Sequence, residues 1–278
     1  MTTPVSVLIL TLDEETNLPR CLTSLQWCND IVVLDSGSRD LTQVIATDFG
    51  ARVVERTFDN YAAQRNFGLK DITYVHPWVL MVDADEEVPS ALIEEIIQTI
   101  TECDEKMTLF RMRRQDHFLG KWIRRSSGYP TWFGRLVRPD KVSVEREINE
   151  EFVTDGQIGF LKNHLRHYPF NKGFASWIEK HNRYSTMEAK LIQEGGLCAF
   201  SVADLKSGDP ACRRRAIKSI VYRLPFRPLW MFLALYILRG GFLDGQAGLI
   251  FCLLRSYYEF MINCKLREIK LRLAGRPL

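Results

Sequence analysis

An α/β fold with a mostly parallel central sheet is predicted by two patterns in the first hundred residues of this 278-residue chain. Short, wholly apolar runs recur at Val5–Leu10, Ile31–Leu34 and Trp78–Val82, and helix-like segments separate them. Runs without polar alternation belong to strands buried on both faces, as in parallel sheets covered by helices. Ligands of such sheets gather beyond the carboxyl ends of the strands, so the polar residues that stop each run become the functional candidates.

Taken in order, Val5–Leu10 is rich in β-branched residues and stops at Thr11. Asn17–Gln26 places Leu18, Leu22 and Leu25 at helical spacing. Ile31–Leu34 is stopped by Asp35-Ser36-Gly37-Ser38, whose small residues allow close backbone approach, and Asp40 can cap the next helix, Leu41–Phe49. Arg52–Glu55 reads as a short strand and Tyr61–Lys70 as a helix. Trp78–Val82 runs directly into Asp83-Ala84-Asp85, and Ser90–Ile100 follows as an amphipathic helix. From Met107 to Tyr168 the strand-like pieces Thr108–Met112, Trp132–Val137 and Ile158–Phe160 are mixed with arginines and aromatics, before a charged helix at Ser176–Gln193.

The last third changes character. From Ser201 onward there are fourteen Lys and Arg against five Asp and Glu; residues 1–200 carry twenty-three against twenty-nine. Arg213-Arg214-Arg215 and Lys218 precede the apolar run Leu229–Leu238, Arg239-Gly240-Gly241 interrupts it, and Ala247–Leu254 resumes it. Ten apolar residues in a helix span about 15 Å, half of a ~30 Å hydrocarbon core. An interfacial or shallow re-entrant helical pair flanked by arginines fits better than a membrane span, with a hairpin packed on the main domain as the alternative. The basic residues are interleaved with long apolar runs, which argues against a nucleic-acid surface. The seven cysteines are scattered without metal-site spacing and are expected as free thiols in a reducing compartment. Met1–Val5 lacks a basic stretch leading into a long apolar one, so a cytoplasmic chain is expected.

Two carboxylates one residue apart, just beyond a buried strand, suit a hard divalent cation that is also bound by phosphate oxygens. Asp83 and Asp85 fit that description, although acidic turns are common. Asp35 can accept hydrogen bonds from a base or ribose hydroxyl, and Arg65 can pair with a diphosphate. No GxGxxG follows the first strand and no GxxxxGK[ST] occurs, so a dinucleotide oxidoreductase and a P-loop nucleotidase are not supported. Trp122, Trp132, Arg124 and Arg125 are weaker candidates for holding a sugar acceptor and its phosphates, core or surface roles being the plainer reading. His164 and His167, three residues apart with no carboxylate partner, read as packing and hydrogen-bonding residues.

Four ordered motifs resemble family 2 glycosyltransferases of GT-A fold: Val5–Leu12 with Glu14-Glu15, Leu34–Asp40, Ala63–Asn66 and Val82–Glu86. The resemblance implies Thr11, Glu14 and Asp35 around the nucleotide, Arg65 near the diphosphate, Asp83 shared between ribose and metal, and Asp85 as the metal ligand. Phe133–Arg138, Ile148–Glu151, Leu165–Tyr168, Lys180–Tyr184 and Gly241–Gly245 further resemble the bacterial lipopolysaccharide-core β-1,4-glucosyltransferase group, which usually has His-Glu where this chain has Asn149-Glu150. Glu150 is thereby the candidate general base, with Glu147, Glu151 and Asp155 as rivals.

What the resemblance implies is an inverting hexosyltransferase dependent on Mg²⁺ or Mn²⁺. It would move glucose from UDP-glucose to a membrane glycolipid, with a polyprenyl-linked saccharide or an inactive membrane scaffold as alternatives. Residues 1–110 are then expected to bind the nucleotide sugar, 111–200 the acceptor, and 201–278 an anionic membrane surface, at the inner face of the cytoplasmic membrane.

Overall fold

In the computed structural model the structure describes residues 4–145, 151–195 and 225–278. The strands are β1 (Val5–Thr11), β2 (Ile31–Asp35), β3 (Arg52–Glu55), β4 (Trp78–Asp83), β5 (Glu86–Glu87), β6 (Met107–Phe118), β7 (Lys121–Trp122), β8 (Trp132–Val137), β9 (Ser143–Glu145), β10 (Glu151–Val153) and β11 (Gln157–His167). The helices are α1 (Leu18–Thr23), α2 (Thr42–Asp48), α3 (Tyr61–Lys70), α4 (Ser90–Glu102), α5 (Gly173–Gln193), α6 (Arg227–Leu233) and α7 (Gly245–Leu273). They form two compact units, Met1–His117 with Tyr129–Lys172, and Phe118–Gly128 with Gly173–Leu278. Residues 1–110 and 111–172 contribute strands to one sheet, and α5 lies with the C-terminal helices in the second unit.

The sheet of the first unit runs β3-β2-β1-β4-β8-β6-β11-β5. Strands β3, β2, β1 and β4 are mutually parallel; β8 is antiparallel to both β4 and β6, and β11 is parallel to β6. The expectation of a mostly parallel sheet holds in the half where apolar runs were continuous. Alternate residues explain the continuity: Val5, Val7 and Ile9 face one apolar cluster with Leu18, Leu22, Leu92 and Ile96, while Leu8 faces the other with Val32, Leu34 and Leu69. Gly68 on α3 is required by this packing, since a Cβ there would lie 2.5 Å from the Leu8 Cδ2.

Strands β6 and β11 extend well past the short apolar pieces expected there. Their far halves carry Arg114, Asp116 and His167 as partners across the sheet, so charge pairing replaces apolar continuity. The hairpin β9–β10 packs Phe152 onto the second apolar cluster, its ring within 3.0 Å of where a Cβ on Gly134 would stand.

In the second unit, α5 and α6 both pack on α7. Lys265 Nζ on α7 donates to Asn182 Oδ1, Ser185 Oγ and Thr186 Oγ1 of α5 at 2.6–2.8 Å. Arg227 and Glu259, each at most 2 % exposed, pair at 2.7 Å between α6 and α7. The apolar run expected at Leu229–Leu238 begins as α6 and ends in a π-turn, Ala234–Leu238. Among the described residues no single helix is long and apolar enough to cross a membrane; Arg227–Leu238 and Gly241–Leu273 form a pair bent by 70°. Arg213–Arg215, Lys218, Cys198 and Cys212 lie outside the described residues.

Asp30 closes the amino-terminal edge of the sheet. It is 4 % exposed and accepts from Ser6 Oγ at 2.5 Å, Val75 N at 2.8 Å and Arg52 Nη2 at 3.0 Å. Burial pushes its pKa up, but the hydrogen bonds from Ser6, Val75 and Arg52 outweigh burial and hold it below the ordinary value. A depressed carboxylate stabilises the fold above its unfolded pKa, and that contribution disappears as pH falls through the folded value. Asp30→Ala is therefore expected to cost about 2–3 kcal/mol at pH 7. The difference from wild type should shrink below about pH 4. Urea denaturation at pH 7 and pH 3 checks this; an undiminished gap at pH 3 would refute it.

Candidate active site

Register brings the polar ends of the parallel strands together. Thr11 is opposite Asp35, and Leu10 is opposite Asp83. Thr11 Oγ1 donates to Asp35 Oδ2 at 2.7 Å. Asp35 also accepts from Gly37 N, Ser38 N and Gln43 Nε2 at Oδ1, and from Ser38 Oγ at Oδ2. Burial raises its pKa, yet the donors from Ser38, Gln43 and Thr11 leave it lowered, so Asp35 is an anion that shapes its own loop. Gly37, at φ +87°, provides the turn that aims these amides inward.

The loop after β1 is tied to the loop after β2. Asp13 N donates to Ser38 Oγ at 2.8 Å and Glu15 N to Asp40 Oδ2 at 3.0 Å. Glu14 pairs with Lys172 Nζ at 2.6 Å and accepts from Asn17 Nδ2 at 2.7 Å. Desolvation raises the Glu14 pKa despite those two donors. Asp40 accepts from Thr42 N, so its expected role at the start of α2 is one of local turn bonding.

The Asp83-Ala84-Asp85 turn separates its two carboxylates. Asp83 Oδ1 receives Arg65 Nη2 at 2.9 Å and Arg135 Nη1 at 3.2 Å, and Oδ2 receives Arg135 Nη2 at 2.5 Å. Burial opposes its ionisation, but Arg135 and Arg65 hold it well below the carboxylate range. Asp83, expected to share metal and ribose, and Arg65, expected near the diphosphate, pair with each other, the Arg65 side chain 7 % and the Asp83 side chain 29 % exposed. Arg135 continues the network to Glu86 at 2.9 Å; Glu86 in turn lies 3.7 Å from Arg114, which reaches Asp116 at 3.0 Å.

Beside Asp85 stands His167. Its Nε2 is 3.2 Å from Asp85 Oδ2, and its Nδ1 is 2.7 Å from Asp116 Oδ1. The expected hydrogen-bonding role of His167 is met by carboxylates that folding, and not sequence proximity, brings to it. Burial and Arg114 lower the imidazole pKa, while Asp85 and Asp116 outweigh them and hold it at about 9. His164, by contrast, hydrogen-bonds Tyr129 Oη at 2.7 Å.

Among the described residues no group of three or more His, Cys, Asp and Glu is placed to hold a metal alone. The pair Asp85 and His167 nevertheless fits a divalent cation whose remaining ligands come from a diphosphate. Asp116 on the far nitrogen is the outer partner that orients a ligating imidazole.

Glu150 and Glu147 lie outside the described residues; Glu151 opens β10, and Asp155 follows it. Trp132 lies on β8, with Arg113 4.8 Å over its ring and Phe160 5.0 Å from it edge-on. Trp122, Arg124 and Arg125 belong to the second unit, so the expected acceptor residues are split between units.

Acidic and hydroxyl side chains thus gather at the carboxyl ends of β1, β2 and β4, where ligands of open parallel sheets bind. The model of glycosyl transferase family 2 matches residues 6–169, and the chain belongs to that family. It is 27 % identical to the lipopolysaccharide core biosynthesis glycosyltransferase LpsC of Rhizobium meliloti, over 99 % of this chain and 95 % of that protein. An uncharacterized glycosyltransferase of Rickettsia conorii is 26 % identical over 98 % of this chain and 93 % of its own. Among solved structures, glucosyl-3-phosphoglycerate synthase of Mycobacterium tuberculosis with Mg²⁺ and UDP is similar with a TM-score of 0.36 and 20 % identity. That alignment spans 49 % of this chain and 56 % of the solved one.

Removing the Asp83 carboxylate strands two buried guanidinium groups. Asp83→Ala is expected to destabilise the protein by about 3–5 kcal/mol. Asp85→Ala, which takes one of two carboxylates from His167, should cost clearly less. Equal losses for the two variants in chemical denaturation would contradict this division of roles.

Proposed function

We propose that the chain is a metal-dependent, inverting hexosyltransferase that moves glucose from UDP-glucose to a hydroxyl of a membrane glycolipid. The observation that carries this reading is the convergence of Asp85 and His167 at the carboxyl edge of the sheet, beside the Thr11–Asp35 loop. Membership of family 2 supports the transferase class, and the lipopolysaccharide-core relative from Rhizobium supports a glycolipid acceptor.

Asp85 and His167 would hold the cation, which when bound acts as a Lewis acid at the charge developing on the departing diphosphate. Asp85 and Asp116 favour the protonated imidazole, so His167 would have to give up that proton to serve as a ligand. Asp116 keeps the imidazole turned toward Asp85 throughout. The loops carrying Thr11, Glu14, Asp35 and Ser38 offer polar groups to base and ribose, while Asp83, Arg65 and Arg135 keep the carboxyl end of β4 fixed beneath them.

Glu150 is the proposed general base. It takes the proton of the acceptor hydroxyl as that oxygen attacks the anomeric carbon; the bond from that carbon to the UDP oxygen breaks on the opposite side, and configuration inverts. Such proton transfer is worth about 10²–10⁴-fold. The basic, apolar C-terminal third keeps the enzyme peripheral on the inner face of the cytoplasmic membrane, where a glycolipid acceptor is presented.

Turnover of UDP-glucose should require Mn²⁺ or Mg²⁺ and stop with EDTA, and Asp85→Ala should lose metal-dependent UDP binding. Glu150→Gln should bind UDP normally yet transfer at least about 100-fold more slowly. Metal-independent UDP binding by wild type would overturn the cation site; normal transfer by Glu150→Gln would move the base elsewhere.

A further inference from the structure

The motif Gly241–Gly245 has no part in the chemistry above, yet its aspartate makes a concentrated set of contacts in the helical unit. Asp244 Oδ2 accepts from Arg125 N at 2.9 Å, Ser126 N at 2.8 Å and Ser126 Oγ at 2.6 Å. Ser126 is fully buried. A few residues on, Arg239 Nη2 donates to the Gly128 carbonyl at 3.1 Å. Residues 125–128 are thus tied at two points to the bend between α6 and α7. The bound loop leaves Arg124 and Arg125 exposed, with the Arg124 guanidinium 5.4 Å from the Trp122 ring centre.

The bend that holds this loop is itself apolar and exposed. Ile237 is 55 %, Leu238 83 %, Phe242 52 % and Leu243 63 % exposed. Large apolar side chains this exposed, next to one another in sequence and beside a loop of cations, form the signature of an interfacial membrane contact. The exposed charges of the clamped loop are positive, which selects an anionic rather than a neutral lipid surface.

We infer that the α6–α7 bend and the Asp244-clamped loop form one docking tip for an anionic phospholipid bilayer. Phe242, Leu243 and Leu238 enter the boundary between headgroups and acyl chains, Arg124 and Arg125 meet lipid phosphates, and Asp244 is the positioning residue that holds the arginines level with the apolar side chains. This deepens the membrane part of the proposed function and places residues 118–128, far from the C-terminal third in sequence, at the lipid surface.

The test is sedimentation of the full chain with vesicles of phosphatidylcholine alone or with 30 % phosphatidylglycerol, about 0.1 M salt being used to screen long-range charge effects. The vesicles contain no glycolipid acceptor. Wild type should prefer the anionic vesicles, R124A/R125A should lose about 25-fold of that binding, and F242E/L243E should lose binding to both. Asp244→Ala should abolish the preference for anionic over neutral vesicles, Asp244→Asn should keep part of it, and adding Asp244→Ala to R124A/R125A should cost nothing more. A merely structural role for Asp244 would weaken both vesicle types alike. Unaltered binding by F242E/L243E, or a wild-type dimer that this variant dissociates, would overturn the tip. So would normal vesicle binding by R124A/R125A with a raised KM for the acceptor, which would assign the arginines to the acceptor's phosphates. UDP binding by F242E/L243E reports separately on the transferase site, so failure of one reading is not failure of the other.

Discussion

A chain of alternating charges, Arg65–Asp83–Arg135–Glu86–Arg114–Asp116–His167–Asp85, is the constraint on which the site depends. Taking ions out of water is costly, and such pairs rarely add net stability against an apolar core. Their contribution here is geometric. Each member has counter-charges that tolerate only one arrangement, so the ends of β4, β6, β8 and β11 are fixed relative to one another. Desolvation raises the Glu86 pKa while Arg135 opposes it, and the same Arg135 keeps Asp83 ionised. A single guanidinium therefore favours the charged form of two acids, against burial in both.

This network separates what holds the site from what is available to a ligand. Asp83 is committed to arginines. Asp85 and His167 stand at the terminus of the chain, where the last imidazole is shared between a carboxylate on each side. The loops carrying Asp13, Glu15, Ser38 and Asp40 bond each other, apart from the charged network. Loops and network both lie within the sheet unit. The helical unit has its own polar anchors, Arg227 with Glu259 and, at the exposed apolar bend, Asp244 with the 125–126 amides.

Much of this architecture was legible in the sequence. Apolar runs with no alternation marked β1, β2 and β4, because strands covered on both faces need apolar side chains at every position. Thr11, Asp35 and Asp85 stood out because each directly ends or follows such a run. The far halves of β6 and β11 were not legible, since Arg114, Asp116 and His167 break the apolar pattern and look like loop residues until their partners are known. A period-two signal was present in Arg114 and Asp116, and again in Leu165 and His167. It points to one face of a strand but not to what that face meets.

The sequence by itself determined the order of strands and helices, the family, and which acids sit at strand ends, because burial periodicity and turn chemistry are local. Tertiary structure decided the different ion-pair partners of Asp83 and Asp85, the entry of His167 beside Asp85, and the clamping of residues 125–126 by Asp244. Those outcomes rest on hydrogen bonds and ion pairs between residues far apart in the chain, whose strength depends on distance and burial. Neither quantity exists until the sheet has closed.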